Sequence, residues 1–200
     1  MATERTQLFF FGDEILSGWG DQYGLGLVGR LNRLIHDQYY PVQTYNLGVS
    51  GEDSKALTAR MPQEFGCREE NGDDNRVVLC FGIQDSRTLG GQTVMPLKDS
   101  IENTKLLLAL LKKQKVKHLM IGPPAVYDPN HNARVKKLHH WLEELCHKTH
   151  TPYISIWEST EQDPQYKREV SQHDRVLPKE RGYEKIFNLV ANDRQWWYPQ

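Results

Sequence analysis

The run Arg76-Val77-Val78-Leu79-Cys80-Phe81-Gly82 constrains the fold more than any other part of the chain. Its apolar residues are continuous rather than alternating. A strand of that kind must be buried on both faces, as in the middle of a parallel sheet. Parallel neighbours need crossovers long enough to hold a helix, and the flanking sequence supplies them. Residues 8–11, 42–47, 117–121 and 153–157 read as further strands, most of them stopped by Gly, Pro or a polar cluster. Between them apolar residues recur at helical spacing. Leu25, Leu27, Val28, Leu31, Leu34 and Ile35 form one stripe, and residues 55–65, 96–113, 133–150 and 179–192 hold four more helices. Residues 66–75 form a polar connection, and 158–175 a long polar segment leading to Pro178. Strands alternating with helices specify a three-layer α/β/α sandwich around a parallel five-stranded sheet, expected here as one domain over residues 1–200.

Composition excludes several function classes. Lys and Arg number 25 against 26 Asp and Glu, for a net charge of −1, so no global field favours nucleic acid or an anionic membrane. Cys67, Cys80 and Cys146 are an odd set without Cys-x-x-Cys spacing, which argues against a disulfide framework or thiolate zinc site and suits a reducing compartment. The polar start Met-Ala-Thr-Glu-Arg-Thr-Gln runs into only four apolar residues, too few for a signal peptide or membrane span. A cytoplasmic protein without a cofactor is the expectation.

Ligands of open α/β sheets bind beyond the carboxyl ends of the strands, and the polar loops of this chain gather there. The first strand ends in Gly12-Asp13-Glu14, with Ser17, Gly18 and Trp19 following. The second leads into Asn46-Leu47-Gly48-Val49-Ser50-Gly51, where Asp53 or Ser54 caps the next helix. The third passes into Gly82-Ile83-Gln84-Asp85. Near the end stand Asp174-Arg175-Val176-Leu177-Pro178 and Gly182-Tyr183.

These four blocks, in order and at suitable spacing over nearly the whole chain, resemble those of the SGNH hydrolases, the GDSL-like lipases and acylhydrolases. The resemblance implies a flavodoxin-like strand order, 2-1-3-4-5, and esterase chemistry. It also implies roles by position. Gly51 matches a glycine whose N–H meets the oxyanion, and Gln84 stands where an Asn side chain makes a second such bond. Asp174 matches the triad aspartate. Two positions depart from the pattern: Glu14 stands where the family has its nucleophilic serine, and Leu177 where it has the histidine base. The mechanism needs a serine whose proton goes to an aspartate-held histidine. Loss of one member costs on the order of 10⁴–10⁶ in rate. A serine-esterase mechanism through this site is therefore not expected. The expected function is a non-catalytic homologue, a ligand-binding or scaffolding module for a small ester-like or anionic molecule. The alternative is an esterase with a carboxylate-centred site.

Three readings of Glu14 remain open. Its carboxylate can fold into the oxyanion pocket, bonding the Gly51 N–H and the Gln84 amide. Asp13, Glu14, Asp85 and Asp174 can instead converge on a hard cation such as Mg²⁺ or Ca²⁺, although Asp13 and Asp85 in such loops more often bond backbone N–H groups. Glu14 can also act as general base toward water, with Gln84 orienting a carbonyl. Ser17, a turn into a helix, should point away from the strand edge. Ser50 has no evident base, and His173 is expected as an exposed loop residue. Trp19 is expected to line the cleft. His139, His140, His147 and His150 are expected on the outer face of their helix rather than on a metal. The aromatic tail of residues 193–200, with Trp196 and Trp197, is expected to cover the sheet edge or a helix groove, with a homo-oligomer contact as the alternative.

Overall fold

The computed structural model describes residues 5–39, 41–70 and 72–199; the first residues of the polar N-terminal stretch lie outside them. The elements in chain order are β1 (Thr6–Gly12), α1 (Glu14–Ser17), α2 (Gly26–Tyr39), β2 (Val42–Gly48), α3 (Ser54–Gly66), β3 (Asp74–Cys80), the short hairpin β4 (Thr88–Leu89) and β5 (Gln92–Thr93), and α4 (Leu97–Lys113). They continue with β6 (Lys117–Ile121), α5 (Pro129–Thr149), β7 (Tyr153–Ile154), α6 (Trp157–Glu161), α7 (Pro164–Gln172) and α8 (Glu180–Ala191). Five strands make one parallel sheet in the order β2-β1-β3-β6-β7. Counted without the hairpin, that is 2-1-3-4-5, the flavodoxin-like arrangement.

The continuous apolar runs divide between the two faces. Leu8, Phe10, Val78, Cys80, Leu119 and Ile121 point into a layer shared with α1, α2 and α8. Phe9, Phe11, Val77, Leu79, Phe81 and Met120 point into the opposite layer, which α3, α4 and most of the apolar stripe of α5 cover. The alternation of neighbours between faces follows from the two-residue period of a strand.

The sequence reading needs correction in several places. The fifth strand pairs with β6 only at Tyr153 and Ile154, and α6 already opens at Trp157. The long polar segment 158–175 carries secondary structure: α7 and all but the first residue of α6 lie in it. Asp163 caps α7, accepting the N–H groups of Gln165 and Tyr166, with Pro164 in the first turn. Tyr166 and Val170, one turn apart, bury the inner side of that helix. Likewise α5 begins at Pro129, behind an Asp128 cap, rather than at 133. His139 is fully buried, not on the outer face of α5. No helix among the described residues is long and apolar enough to cross a membrane.

Candidate active site

The carboxyl ends of β1, β2 and β3 meet at two glycines that admit no side chain. A Cβ on Gly12 would stand 1.7 Å from the Cys80 carbonyl oxygen, and one on Gly48 would stand 2.5 Å from the Ser17 nitrogen. The close approach lets the Asp13 N–H reach the Cys80 carbonyl at 3.1 Å and the Val49 N–H reach the Gly12 carbonyl at 2.8 Å. The three loops leaving these strands are thereby held against one another. Asn46 adds a further tie, its amide donating to the Leu16 carbonyl at 2.8 Å while its oxygen accepts the Gly48 N–H at 3.1 Å.

Glu14 lies in the first turn of α1 and is 2% exposed. Its Oε2 accepts the Gly51 N–H at 3.0 Å, and its Oε1 accepts the Gln84 side-chain amide at 2.7 Å. The structure thus brings Glu14, Gly51 and Gln84 together, with one carboxylate oxygen on each donor. Gly51 adopts a φ of +80°, the left-handed region open to glycine, which turns its N–H toward the site. A backbone N–H and a side-chain amide facing one acidic group are donors of the kind that stabilise an oxyanion. Here the carboxylate of Glu14 takes both.

The neighbouring acids serve the loops. Asp13 Oδ1 accepts the Ile15 N–H at 3.1 Å and caps α1, while Oδ2 is buried without a hydrogen-bond partner. Burial, and after it the adjacent charge of Glu14, raises the Asp13 carboxyl well above its ordinary 3.8. Asp85 Oδ1 accepts the Ser54 N–H at 2.7 Å, and burial raises that carboxyl too. Asp174 does not join them. Its Oδ1 accepts the N–H groups of Val176 and Leu177 at 2.9 and 2.7 Å, an Asx turn that orders its own loop. Leu177, 2% exposed, belongs to the apolar layer beneath α8. Among the described residues, the side chains of Asp13, Glu14, Asp85 and Asp174 are not gathered within metal-binding reach of one another.

The remaining candidates stand apart from the Glu14 carboxylate. The Ser17 hydroxyl donates to the Glu14 carbonyl at 2.9 Å. His173 rests against Gly20, its Nδ1 3.7 Å from Asp174 Oδ1. Trp19, expected to line the cleft, is 64% exposed, and its carbonyl accepts the Tyr183 hydroxyl. Its loop is held from below by Asp21, which accepts the Leu25 and Gly26 N–H groups and pairs with Arg30, leaving the indole on the outside.

Several positioning residues escape a sequence reading. The His131 ring, at the start of α5, lies 3.0 Å from the Ile83 carbonyl, and Arg134 donates to the Ser86 carbonyl, so α5 grips the loop that carries Gln84. Arg60 makes a two-pronged ion pair with the buried Glu52 and also donates to the Leu47 carbonyl, fixing the loop of Gly51. Glu169 accepts the N–H groups of Lys179 and Gly182, so α7 caps α8. Histidine or arginine on a helix gives no local signal of such a carbonyl partner far along the chain. Beside Asp85 opens a pocket of about 210 Å³, lined by Ser86, Met95, Leu97, Arg134, Lys137 and Leu138 among others.

Comparison with known proteins agrees with this architecture. Structures with the same fold include a lipase/acylhydrolase from Enterococcus faecalis (TM-score 0.73, 23% identity, 92% of this chain and 93% of that one). An acetylxylan esterase from Geobacillus stearothermophilus superposes at TM-score 0.73 with 16% identity over 98% of this chain and 96% of its own. A member of the lipolytic G-D-S-L family from Veillonella parvula gives 0.71 at 17% identity, covering 92% and 96%. A search of curated protein sequences returns no match. The model of the GDSL-like lipase/acylhydrolase family matches residues 10–185. With a parallel 2-1-3-4-5 sheet and that match over most of its length, the chain belongs to the GDSL-like lipase/acylhydrolase family.

Proposed function

We propose that this protein is a non-catalytic member of its family, a ligand-binding or scaffolding module whose oxyanion pocket is filled by its own Glu14. One observation carries the reading: both donors of the pocket, the Gly51 N–H and the Gln84 amide, are bonded to the Glu14 carboxylate. An ester carbonyl entering there would have to displace a buried, doubly bonded side chain. The position after Gly-Asp also offers no hydroxyl for acyl transfer, and Leu177 offers no imidazole. What such a module would hold is a small anionic or ester-like molecule. The pocket beside Asp85 offers such a molecule Arg134 and Lys137 for a negative group and Met95, Leu97 and Leu138 for an apolar one.

The test uses p-nitrophenyl acetate and butyrate. Wild type should turn over neither above the buffer blank. Glu14→Ala should remain inactive yet gain affinity for acetate, which would take the place of the missing carboxylate. The double variant Glu14→Ser/Leu177→His restores two members of the triad and should be the first to show hydrolysis. Wild-type turnover that disappears in Glu14→Ala would instead establish a carboxylate-centred esterase. Failure of Glu14→Ala to gain any affinity for acetate would remove the plug.

A further inference from the structure

His139 lies in the middle of α5, away from Glu14, and its imidazole is enclosed. The ring packs beside Trp157, centroids 6.2 Å apart at 22°. Nδ1 is 2.8 Å from the Tyr153 hydroxyl. That hydroxyl also reaches the His139 carbonyl at 3.4 Å, so it has an acceptor for its proton when Nδ1–H donates to it. Gly122 leaves the space for this arrangement: a Cβ there would stand 2.3 Å from the Tyr153 oxygen and 3.2 Å from Nδ1. In the tautomer that carries the proton on Nδ1, the lone pair on Nε2 is free to bind a cation.

Nε2 has no hydrogen-bond partner although the side chain is 0% exposed. It faces Glu158 Oε1 at 3.3 Å, outside hydrogen-bonding geometry. The other carboxylate oxygen, Oε2, is held by the Ser155 hydroxyl at 2.8 Å, which leaves Oε1 toward the histidine. In that tautomer the nitrogen lone pair and the carboxylate oxygen face the same space, as two ligands of one cation do. His140 brings a second imidazole, its ring centroid 5.1 Å from that of His139. One ligand atom from each of His139, His140 and Glu158 lies within 4.8 Å of the others.

We propose that His139, His140 and Glu158 bind Zn²⁺ or a similar divalent cation that favours imidazole, with water in the remaining position. Two imidazole nitrogens and a carboxylate oxygen are a donor set suited to such a metal. Bonds of roughly 2.0–2.1 Å require ligand atoms about 3.3 Å apart, so the set must draw together on binding. The two ligands that would move are the accessible ones, exposed His140 and Glu158, whose side chain is 46% exposed. The buried ligand is the fixed one. Its Nδ1 contact to Tyr153 is the outer hydrogen bond that metal-bound histidines use to hold ring and tautomer. The Glu143 carboxylate, whose charge also reaches His139, adds to the negative field there. A bound ion would clamp the middle of α5 to the start of α6, directly after the short edge strand β7.

The experiment is a titration of Zn²⁺ into the full chain after EDTA treatment, followed by calorimetry and melting temperature, with Mg²⁺ as the control ion. The expected result is one Zn²⁺ per chain, a raised melting temperature, and no response to Mg²⁺. His140→Ala and Glu158→Ala, which alter accessible side chains, should each weaken binding about tenfold or more. Tyr153→Phe keeps all three ligands and should weaken it by about 10–100-fold. Cys67→Ser and His147→Ala should bind as wild type does. Loading with Co²⁺ should give the visible absorption of a tetrahedral site without a thiolate charge-transfer band. Substoichiometric uptake by wild type, unchanged affinity in His140→Ala and Glu158→Ala, or loss in Cys67→Ser would each overturn the site.

Discussion

Asp13 has two oxygens in different circumstances. Oδ1 caps α1 through the Ile15 N–H, while Oδ2 is buried with no partner. Burial and the neighbouring Glu14 raise its carboxyl well above 3.8, so the native state holds this proton at pH values where the unfolded chain has released it. The sign follows from proton counting. Where the native state binds more protons than the unfolded state, stability falls as pH rises. The loss begins near the unfolded value and ends at the raised native one. Asp13→Asn cannot ionise and keeps an oxygen for the Ile15 N–H. Wild type should therefore lose stability relative to Asp13→Asn as pH rises above about 4, by up to about 1.4 kcal/mol per pH unit while the group titrates. Urea unfolding of both proteins across that range checks it; parallel profiles would show that Asp13 has an ordinary pKa. At this scale the residue types that stand at the site, Glu14, Gly51, Gln84 and Leu177, were legible, since identities need no coordinates. The loop role of Asp13 and Asp85, each bonding a backbone N–H, was legible too; the turn made by Asp174 was not. Asp174 bonding its own turn and Asp13 capping a four-residue helix are outcomes of local geometry.

At the scale of the element, the ends of the strands are set by glycines that the packing requires. Gly12 pairs with Gly48 on one side and Cys80 on the other, and its missing Cβ is what lets the β1 loop cross the Cys80 carbonyl. Gly12→Ala should destabilise by about 3 kcal/mol or more, because the colliding atom is backbone and cannot rotate away. Gly66, the last residue of α3, has nothing within 4 Å of a built Cβ and no positive φ. Gly66→Ala should stabilise by roughly 0.5–1 kcal/mol through the lost freedom of the unfolded chain. Chemical denaturation of the pair separates the two roles; equal and small effects would mean that the β1 loop has slack. The same reasoning explains which elements the sequence announced. The buried strands and α2, α4 and α8 declare themselves by apolar period. The helix α7 does not, because only Tyr166 and Val170 of its nine residues are buried. Its sign is the Asp163-Pro164 start, a capping residue followed by a proline suited to the first turn, and the same pair at Asp128-Pro129 begins α5. Reading for caps as well as period would have recovered both.

Across the whole molecule, the last residues complete the core rather than trail from it. Trp196 and Tyr198 are 4% and 6% exposed and belong to the apolar layer under α2 and α8. Trp196 meets Phe10 of the central strand β1 at 6.4 Å. Arg76 lies over the rings of Trp197 and Tyr198, and the Tyr39 hydroxyl donates to the Pro199 carbonyl. The tail thus joins β1, β3 and α2, elements far from it in sequence. Its large apolar surface is covered by its own chain, so its first contribution is to stability rather than to contact with a second copy. Trp196→Ala should cost about 3–5 kcal/mol, the range for emptying a large buried aromatic site. Truncation after Asn192 removes all three aromatic rings and should cost more, leaving β1 uncovered on that face. Sedimentation run beside denaturation distinguishes the alternatives. Loss of stability at unchanged mass places the tail within its own fold. A fall in mass with stability retained would place it between copies, and the intrachain packing of Trp196 on Phe10 would then not be the contact that matters.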